Sequence, residues 1–299
     1  MKNLNRNQID QEVFDLYDQY AHNKIKRRDF IEKLSMYAVG GLTVPALLEY
    51  LLPDYKTTNL VSPNDPDLES SYIEYDSLKG GGKIKGLLSL PKKAANEDNA
   101  SLGGIVVVHE NRGLNPYIED TARRAALAGF VTLAPDALSP LGGYPGNDDD
   151  GRAMQRERDR DEMLEDFIAA YEYLRDHDKV NGKIGVVGFC FGGWISNMMA
   201  VRLPELAAAV PFYGSQPEEE DVPAIKAPLM LHYAALDERV NAGWPAYEAS
   251  LKEHGKEYQA YFYPEANHGF HNTSTPRYDE EAAELAWGRT IDFFREKLG

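Results

Sequence analysis

The sequence has one cysteine, Cys190, among its 299 residues, so no disulfide can form within the chain. A single thiol fits a reducing compartment. We therefore expect a cytoplasmic protein, with export through a twin-arginine-like N-terminus as the alternative. Basic residues are also scarce, with 32 Lys and Arg against 48 Asp and Glu and a formal net charge of −16. Because nucleic acids and anionic membranes are bound by surplus Lys and Arg, we expect neither as a partner.

An uninterrupted apolar run long enough for a comfortable membrane span is missing too. The stretch over residues 34–52 is interrupted by Pro45 and Glu49. Arg27 and Arg28 precede it, as in a twin-arginine signal, but no small-residue cleavage site follows. We predict a helical extension over residues 1–62 that stays in the mature protein. It begins with an amphipathic helix at 8–20 and packs on the main domain or on a second subunit, as in a homodimer.

From residue 63 onward, short apolar strands alternate with amphipathic helices. Strands are predicted at 72–75, 84–90, 105–108, 130–134, 184–187, 207–212, 229–233 and 258–263. Helices are predicted at 117–128, 152–176, 191–202, 242–254 and 280–297, and the charged run 156–162 is interpreted as a solvated helix face. This alternation predicts an α/β domain over residues 63–299, with a mostly parallel, doubly wound sheet and helices on both faces.

The strongest chemical signal is the segment 188–193, which reads Gly-Phe-Cys-Phe-Gly-Gly between a predicted strand and a predicted helix. This is a nucleophile elbow with cysteine in the place of serine. Glycines are needed because the turn leaves no room for side chains beside the nucleophile. The free N–H groups of the new helix favour ionisation of the Cys190 thiol.

A thiol nucleophile needs a base and an acid that orients the base. Asp237 and His268 follow two later predicted strands, so both fall at the carboxyl edge of the sheet, where the elbow lies. We favour this pair, with Glu238 as the rival acid and His271 as the rival base. His232, inside a strand, is interpreted as a core residue, and no role is assigned to three histidines in polar surroundings. These are His22, His177 and His254.

The loop after the strand 105–108 is expected to complete an oxyanion hole. One backbone N–H comes from Phe191 and the other from Asn111. His109 is interpreted as a residue that makes loop and capping hydrogen bonds. The sequence shows no metal-ligand cluster and no phosphate-binding glycine loop, so we expect neither a metal nor an organic cofactor.

With these motifs, residues 72–298 resemble the dienelactone hydrolase family. The elbow and the segment 109–116 (His-Glu-Asn-Arg-Gly-Leu-Asn-Pro) carry the resemblance. It implies an α/β-hydrolase fold, a Cys-Asp-His triad, no metal and no cofactor. It also implies that Glu110 holds the thiol until substrate binds. The N-terminal extension resembles one branch of the family.

The sequence departs from lactone-cleaving members at two places where they carry carboxylate-binding arginines. One is Asn272, four residues after His268, and the other is the segment 137–140 (Ala-Leu-Ser-Pro). We therefore predict an aromatic pocket that includes Trp194 and Tyr213 and a preference for neutral, short-chain esters or lactones. Arg112 is the candidate for a positive group in that pocket.

Two hypotheses follow. The first is a hydrolase that cleaves a small-molecule ester, lactone or thioester through an acyl-cysteine. The second is a non-catalytic binding protein that keeps the scaffold, with the extension as its docking element. A redox role for Cys190 lacks a resolving cysteine.

Overall fold

The computed structural model describes residues 9–22, 24–39, 42–56, 59–97 and 99–299. Residues 1–8, 23, 40, 41, 57 and 58 of the predicted extension lie outside the described part, as does the first position of the helix predicted at 8–20.

An eight-stranded sheet forms the centre of the molecule, in the order β1-β2-β4-β3-β5-β6-β7-β8. The strands are β1 (Leu68–Ser77), β2 (Gly82–Pro91), β3 (Leu102–Val108), β4 (Val131–Pro135), β5 (Val180–Phe189), β6 (Ala208–Phe212), β7 (Leu229–Ala234) and β8 (Tyr258–Tyr263). β2 pairs antiparallel with both β1 and β4, and all other neighbours are parallel. The α/β-hydrolase architecture predicted from the sequence is confirmed.

Helices flank the sheet on both faces and precede it along the chain. They are α1 (Gln11–Ala21), α2 (Arg27–Leu34), α3 (Val44–Leu51), α4 (Lys92–Ala95), α5 (Pro116–Leu127), α6 (Asp148–Glu157), α7 (Arg160–Arg175), α8 (Phe191–Arg202), α9 (Glu238–Asn241), α10 (Trp244–Glu253) and α11 (Glu280–Leu298). Short 3-10 turns occupy Ser35–Tyr37, Ser139–Leu141 and Glu219–Ala224. Apolar side chains of α5 and α11 form the core on one face of the sheet, and those of α7, α8 and α10 form the core on the other.

The long helix predicted over 152–176 is wrong, because the structure divides it into α6 and α7. Arg158 between them has extended backbone. Asp159 then starts α7, and its side chain accepts hydrogen bonds from the N–H groups of Asp161 and Glu162. An aspartate at this position caps a new helix more favourably than it continues an old one. The break places three arginines of the charged run, Arg156, Arg158 and Arg160, along the wall of one pocket.

The N-terminal helices have a small apolar core of their own, separate from the two faces of the sheet. Its buried members are Ile9, Val13, Phe14, Leu16, Tyr17, Ala21, Phe30, Leu34, Leu47 and Leu51. The apolar stretch 34–52 is not one helix, since Thr43 caps a new helix that has Pro45 in its first turn. Within the described ranges, every helix is too short or too polar to cross a bilayer.

Candidate active site

Cys190 lies at the sharp turn between β5 and α8, at the carboxyl edge of the sheet. Its φ is 58° and its ψ is −111°, a left-handed conformation that non-glycine residues adopt at a cost of about 1–3 kcal/mol. A Cβ at Gly188 would overlap the carbonyl oxygen of Gly192, so the turn requires glycine there. The strain holds the sulfur at the mouth of a pocket, with 7% of the residue exposed.

Asp237 and His268 meet at the same edge, from the loops after β7 and β8. Asp237 Oδ2 lies 2.5 Å from His268 Nδ1, and Asp237 Oδ1 accepts a hydrogen bond from the N–H of Val240 at 3.2 Å. Asp237 therefore fixes the imidazole with Nε2 directed away from it. Among the described residues, the buried Nε2 of His268 has no hydrogen-bond partner, so it is available to a reacting group.

The rival residues occupy different environments. Glu238 is exposed on α9. His271 is fully buried, and its Nδ1 lies 2.7 Å from the hydroxyl of Tyr117. His232 is a core residue, as predicted, since its two ring nitrogens bond to the hydroxyls of Tyr263 and Thr290. These positions favour Asp237 and His268 over their rivals.

The predicted oxyanion-hole residues, Phe191 and Asn111, line the same pocket as Cys190. Phe191 is the first residue of α8, so its N–H has no acceptor within the helix. Asn111 follows β3 and lines the same pocket as Cys190. Its side-chain Nδ2 donates to the carbonyl of Ala21 at 2.8 Å, which ties this loop to α1. His109 makes loop hydrogen bonds with the carbonyl of Glu110 and the N–H of Ala137.

Glu110 lies away from the thiol that the family resemblance expects it to hold. Its Oε2 accepts a hydrogen bond of 2.7 Å from Asn272 Nδ2 and lies 3.5 Å from Arg112 Nη2. Arg112 is not a wall of the Cys190 pocket. It is buried against Asp148, with Nη1 2.5 Å from Oδ2, and so is held by two carboxylates. The prediction that Arg112 lines the substrate pocket is wrong, because the run 109–112 turns this side chain into the interior.

The Cys190 pocket has a volume of about 410 Å³, and Trp194 and Tyr213 line it as predicted. Five arginines line it as well: Arg152, Arg156, Arg158, Arg160 and Arg239. The guanidinium of Arg160 lies 3.4 Å from the centre of the Trp194 ring. Four of these arginines belong to α6, α7 and the break between them. Three of them belong to the charged run that was predicted to be a solvated helix face, and none of the four occupies either position at which a carboxylate-binding arginine was expected.

His22, at the end of α1, also lies beside the sulfur, although its polar surroundings in the sequence indicated no role for it. Its Nε2 lies 3.2 Å from Cys190 Sγ, and its Nδ1 lies 3.1 Å from Asp18 Oδ1. The rings of His22 and His268 meet edge to face, with centroids 4.7 Å apart. The only hint in the sequence is that Asp18 and His22 are one helical turn apart on a helix predicted to dock.

The buried thiol is surrounded by positive charge. Burial opposes its ionisation, but His22 and His268 outweigh that effect and hold the pKa of Cys190 well below its usual range. Burial would lower the pKa of His268, whereas Asp237, Asp18 and the thiolate raise it to about 10. The pKa of His22 is likewise raised against burial, by Cys190 and Asp18. At neutral pH these directions give a thiolate beside imidazolium groups.

Ligand atoms of His22, Cys190 and His268 all lie within 4.8 Å of one another, close enough for one metal ion. However, Arg239 Nη2 lies 3.2 Å from His22 Nε2 and 3.2 Å from His268 Nδ1. The guanidinium disfavours a bound metal cation and also opposes the protonation of both imidazoles. Protonation is favoured instead by the thiolate and by the carboxylates of Asp18 and Asp237.

Comparisons with known proteins show the family to which this chain belongs. A model of the dienelactone hydrolase family matches residues 84–298, and a YqhI-like family model matches residues 1–40. The hydrolase fragment YghX of Escherichia coli is 50% identical over 118 residues, which cover 40% of this chain and 97% of that protein. Carboxymethylenebutenolidase 1 of Cupriavidus pinatubonensis is 29% identical, over 72% of this chain and 92% of its own.

Solved structures share the fold. A dienelactone hydrolase-like promiscuous phosphotriesterase, P91, from metagenomic libraries superposes with a TM-score of 0.66 at 23% identity and covers 78% of this chain and 100% of its own. The dienelactone hydrolase of Anabaena variabilis superposes with a TM-score of 0.59 at 20% identity, with the same coverage. At these identities the likeness concerns the fold.

Proposed function

The chain belongs to the dienelactone hydrolase family and is a lactone or ester hydrolase, and from this we propose that Cys190, Asp237 and His268 form its catalytic triad. The observation that carries the proposal is the Asp237–His268 pair, 2.5 Å apart, beside a strained and ionisable thiol. We further propose that the N-terminal extension, residues 1–62, and the hydrolase domain, residues 63–299, work as one unit on a small-molecule substrate.

Acylation begins from the ion pair, so the sulfur needs no base at the moment of attack. The Cys190 thiolate adds to the acyl carbon, a C–S bond forms, and the carbonyl electron pair moves onto oxygen. The N–H groups of Phe191 and Asn111 stabilise the oxyanion. As the carbonyl reforms, the C–O bond to the leaving group breaks. His268 Nε2–H then protonates the departing alkoxide.

Deacylation reverses the use of His268. Its neutral Nε2 takes a proton from water while the oxygen adds to the thioester carbon. Collapse of this second intermediate breaks the C–S bond, releases the carboxylic acid and returns Cys190 as thiolate. Asp237 keeps the proton on Nδ1 throughout, so that Nε2 always faces the reaction.

The arginines of the pocket bear on the choice of substrate. The expectation of neutral esters rested on two missing arginines, but other arginines line the pocket beside Cys190. Within the described part of the chain, Arg160 forms no ion pair, and its charge faces the cavity from above Trp194. We therefore replace that expectation and propose an ester or lactone that carries a carboxylate, since charge-assisted hydrogen bonds compensate for its desolvation.

The test is the mass of the intact protein after a brief reaction with an activated ester such as p-nitrophenyl acetate. A Cys190-linked acyl adduct that decays at the steady-state rate supports the proposal, and Cys190→Ala should show neither adduct nor turnover. Turnover by Cys190→Ala would overturn the nucleophile.

The same experiment addresses the hypothesis of a binding protein on a hydrolase scaffold. A wild-type protein that forms no adduct with neutral or carboxylated esters would favour binding without catalysis. Such a result would remove the triad proposal while leaving the fold untouched.

A further inference from the structure

The N-terminal helix α1 brings a second carboxylate–histidine pair to the nucleophile. His22 Nδ1 lies 2.9 Å from the carbonyl oxygen of Asp18 and 3.1 Å from its carboxylate. The carbonyl oxygen accepts the hydrogen bond at Nδ1, and the nearby carboxylate also favours the proton there, so that Nε2 faces Cys190 Sγ at 3.2 Å. Asp237 and His268 have the same arrangement, with the acid at Nδ1 and Nε2 toward the site. The sulfur therefore has two oriented imidazoles, one from each end of the chain.

Hydrogen bonds and ion pairs hold α1 in this place. Arg239 Nε pairs with Asp18 Oδ2 at 3.2 Å, and the buried Arg277 lies 3.6 Å from Asp18 Oδ1. At the start of the helix, the side-chain amides of Gln11 and Asn267 bond to each other. At its end, the carbonyl of Ala21 accepts from Asn111. Contacts to α9 and to the loops after β3 and β8 therefore fix the position of α1 and, with it, of His22.

The electrostatic surroundings favour a charged His22. Several elements contribute charged and titratable groups around Cys190 and His22. These groups are Asp18, Arg152, Arg156, Arg158, Arg160, Tyr213, Asp237, Arg239 and His268. Burial lowers the pKa of His22, but the thiolate and Asp18 raise it above its ordinary value. Asp18 stays ionised because His268, His22 and Arg239 lower its pKa despite burial.

We propose that His22, oriented by Asp18, is a catalytic residue that holds Cys190 as a thiolate in the resting enzyme. The proposal rests on the proposed function of Cys190 as nucleophile. In this step the S–H bond of Cys190 breaks, the proton passes to His22 Nε2, and the electron pair stays on sulfur. His22 takes the thiol-holding role that the resemblance implies for Glu110. His268 is then free to protonate the leaving group and to activate water.

The two histidines then divide the work. When Cys190 becomes acylated, the sulfur loses its negative charge and its contact with His22 weakens. The space between His22 and the sulfur then becomes accessible to atoms of the bound acyl group. After deacylation the thiolate returns and His22 pairs with it again. No co-reactant is needed, because the proton moves only between sulfur and nitrogen.

The test is the pH dependence of Cys190 alkylation by iodoacetamide in the full-length protein. The alkylation rate follows the thiolate fraction and needs no substrate. In His22→Gln we expect the apparent pKa of the thiol to rise by at least one pH unit. In Asp18→Asn the rise should be smaller, since His22 remains but loses its orienting carboxylate. The matched control is His254→Gln, an exposed histidine outside the site, which should titrate like the wild type.

Ester hydrolysis by the same variants gives the second readout. His22→Gln should lose about 10-fold to 100-fold in kcat/KM at pH 7 and should recover most of it at a pH above its new thiol pKa. If His22→Gln fails to fold, its circular dichroism spectrum will differ from that of the wild type. The thiol pKa of Asp18→Asn then provides the test. An unchanged thiol pKa in a folded His22 or Asp18 variant would overturn the proposal. A higher kcat/KM would also overturn it, since it would make α1 an inhibitor.

Failure of this inference is distinguishable from failure of the triad. If no ester acylates Cys190 in the wild type, the hydrolase mechanism falls, while the alkylation profile still reports what His22 does to the thiol. If esters acylate Cys190 but His22→Gln titrates normally, the triad stands and His22 is only a packing contact.

Discussion

Asn272 Nδ2 donates a hydrogen bond of 2.7 Å to Glu110 Oε2, and both side chains are buried. Asn272 occupies the position at which lactone-cleaving relatives are expected to carry an arginine. In this chain the residue faces inward and helps to engage the carboxylate, together with Arg112. The presence of Asn272 in place of an arginine and the contact of Glu110 with Asn272 instead of the thiol are therefore parts of one local arrangement.

We expect Glu110→Gln to leave the thiol pKa unchanged, because the carboxylate contacts Asn272 and Arg112 rather than the sulfur. The change should instead lower the free energy of unfolding by about 1–3 kcal/mol, since the buried Arg112 loses a charged partner. Iodoacetamide alkylation and urea unfolding measure the two effects separately. A raised thiol pKa with unchanged stability would return Glu110 to the thiol-holding role.

Asp237→Asn should lower kcat by about two to four powers of ten at pH 7, because an amide can stabilise the wrong imidazole tautomer. Glu238→Gln is the matched control, since the neighbouring acid is exposed and should change kcat less than twofold. Steady-state kinetics with p-nitrophenyl acetate checks both. A larger effect at Glu238 would reassign the acid.

His268→Gln should lose at least three powers of ten in kcat, since the variant lacks the imidazole that is proposed to protonate the leaving group and to activate water. His271→Gln should act mainly on stability, because it disturbs the buried hydrogen bond to Tyr117. Its kcat per folded molecule should stay within a few-fold of wild type. Kinetics and thermal unfolding of both variants provide the comparison, and the opposite ranking would mean that His271 is the base.

Arg160→Gln should raise KM about 10-fold for a carboxylated ester and leave KM for its uncharged methyl ester unchanged. The reason is the loss of a guanidinium that faces the pocket, at about 1.5–3 kcal/mol for a hydrogen bond to a charged group. Arg175→Gln is the control, because Arg175 pairs with Asp176 outside the pocket. An equal rise in KM for both esters would show that Arg160 supports the pocket wall but does not bind the carboxylate.

The pH profile of kcat/KM should be a broad plateau from neutral pH into the alkaline range. Attack requires the thiolate, so activity is present above the lowered pKa of Cys190 and is lost as pH falls through it. Protonation of the leaving group requires the imidazolium, so activity is lost as pH rises through the His268 pKa of about 10. A profile with its acidic limb near pH 8.5 would mean that the thiol is not activated.

Much of the fold could be predicted, and the residues proposed as the triad could be selected, because both depend on local patterns. Apolar runs such as 105–108 indicate a buried strand within a few residues, and the glycines of 188–193 indicate a sharp turn in the same way. Asp237 and His268 were found from their places after predicted strands. The break at Arg158 was missed because the apolar periodicity continues across it, and only the capping geometry of Asp159 reveals the new helix.

The residues that were missed depend on contacts between distant parts of the chain. His22 looks like an ordinary surface histidine until α1 docks, and nothing between residues 9 and 22 specifies the surface that receives it. Arg160 looks solvated until the break at Arg158 turns α7 toward the pocket. In the reverse direction, Arg112 seemed well placed beside the site, but its burial against Asp148 follows from α6, which is a separate element.

The seating of α1 also ties the chemistry of the thiol to the order in which the chain is made. Gln11 and Asn267, which bond to each other, are 256 residues apart in sequence. The helix α1 is therefore synthesised long before the loop after β8 on which it docks. Until that loop has been synthesised, α1 has no complete surface on which to dock, and the activation of Cys190 that we propose for His22 cannot operate. That activation therefore depends on a part of the chain that is made long after both residues.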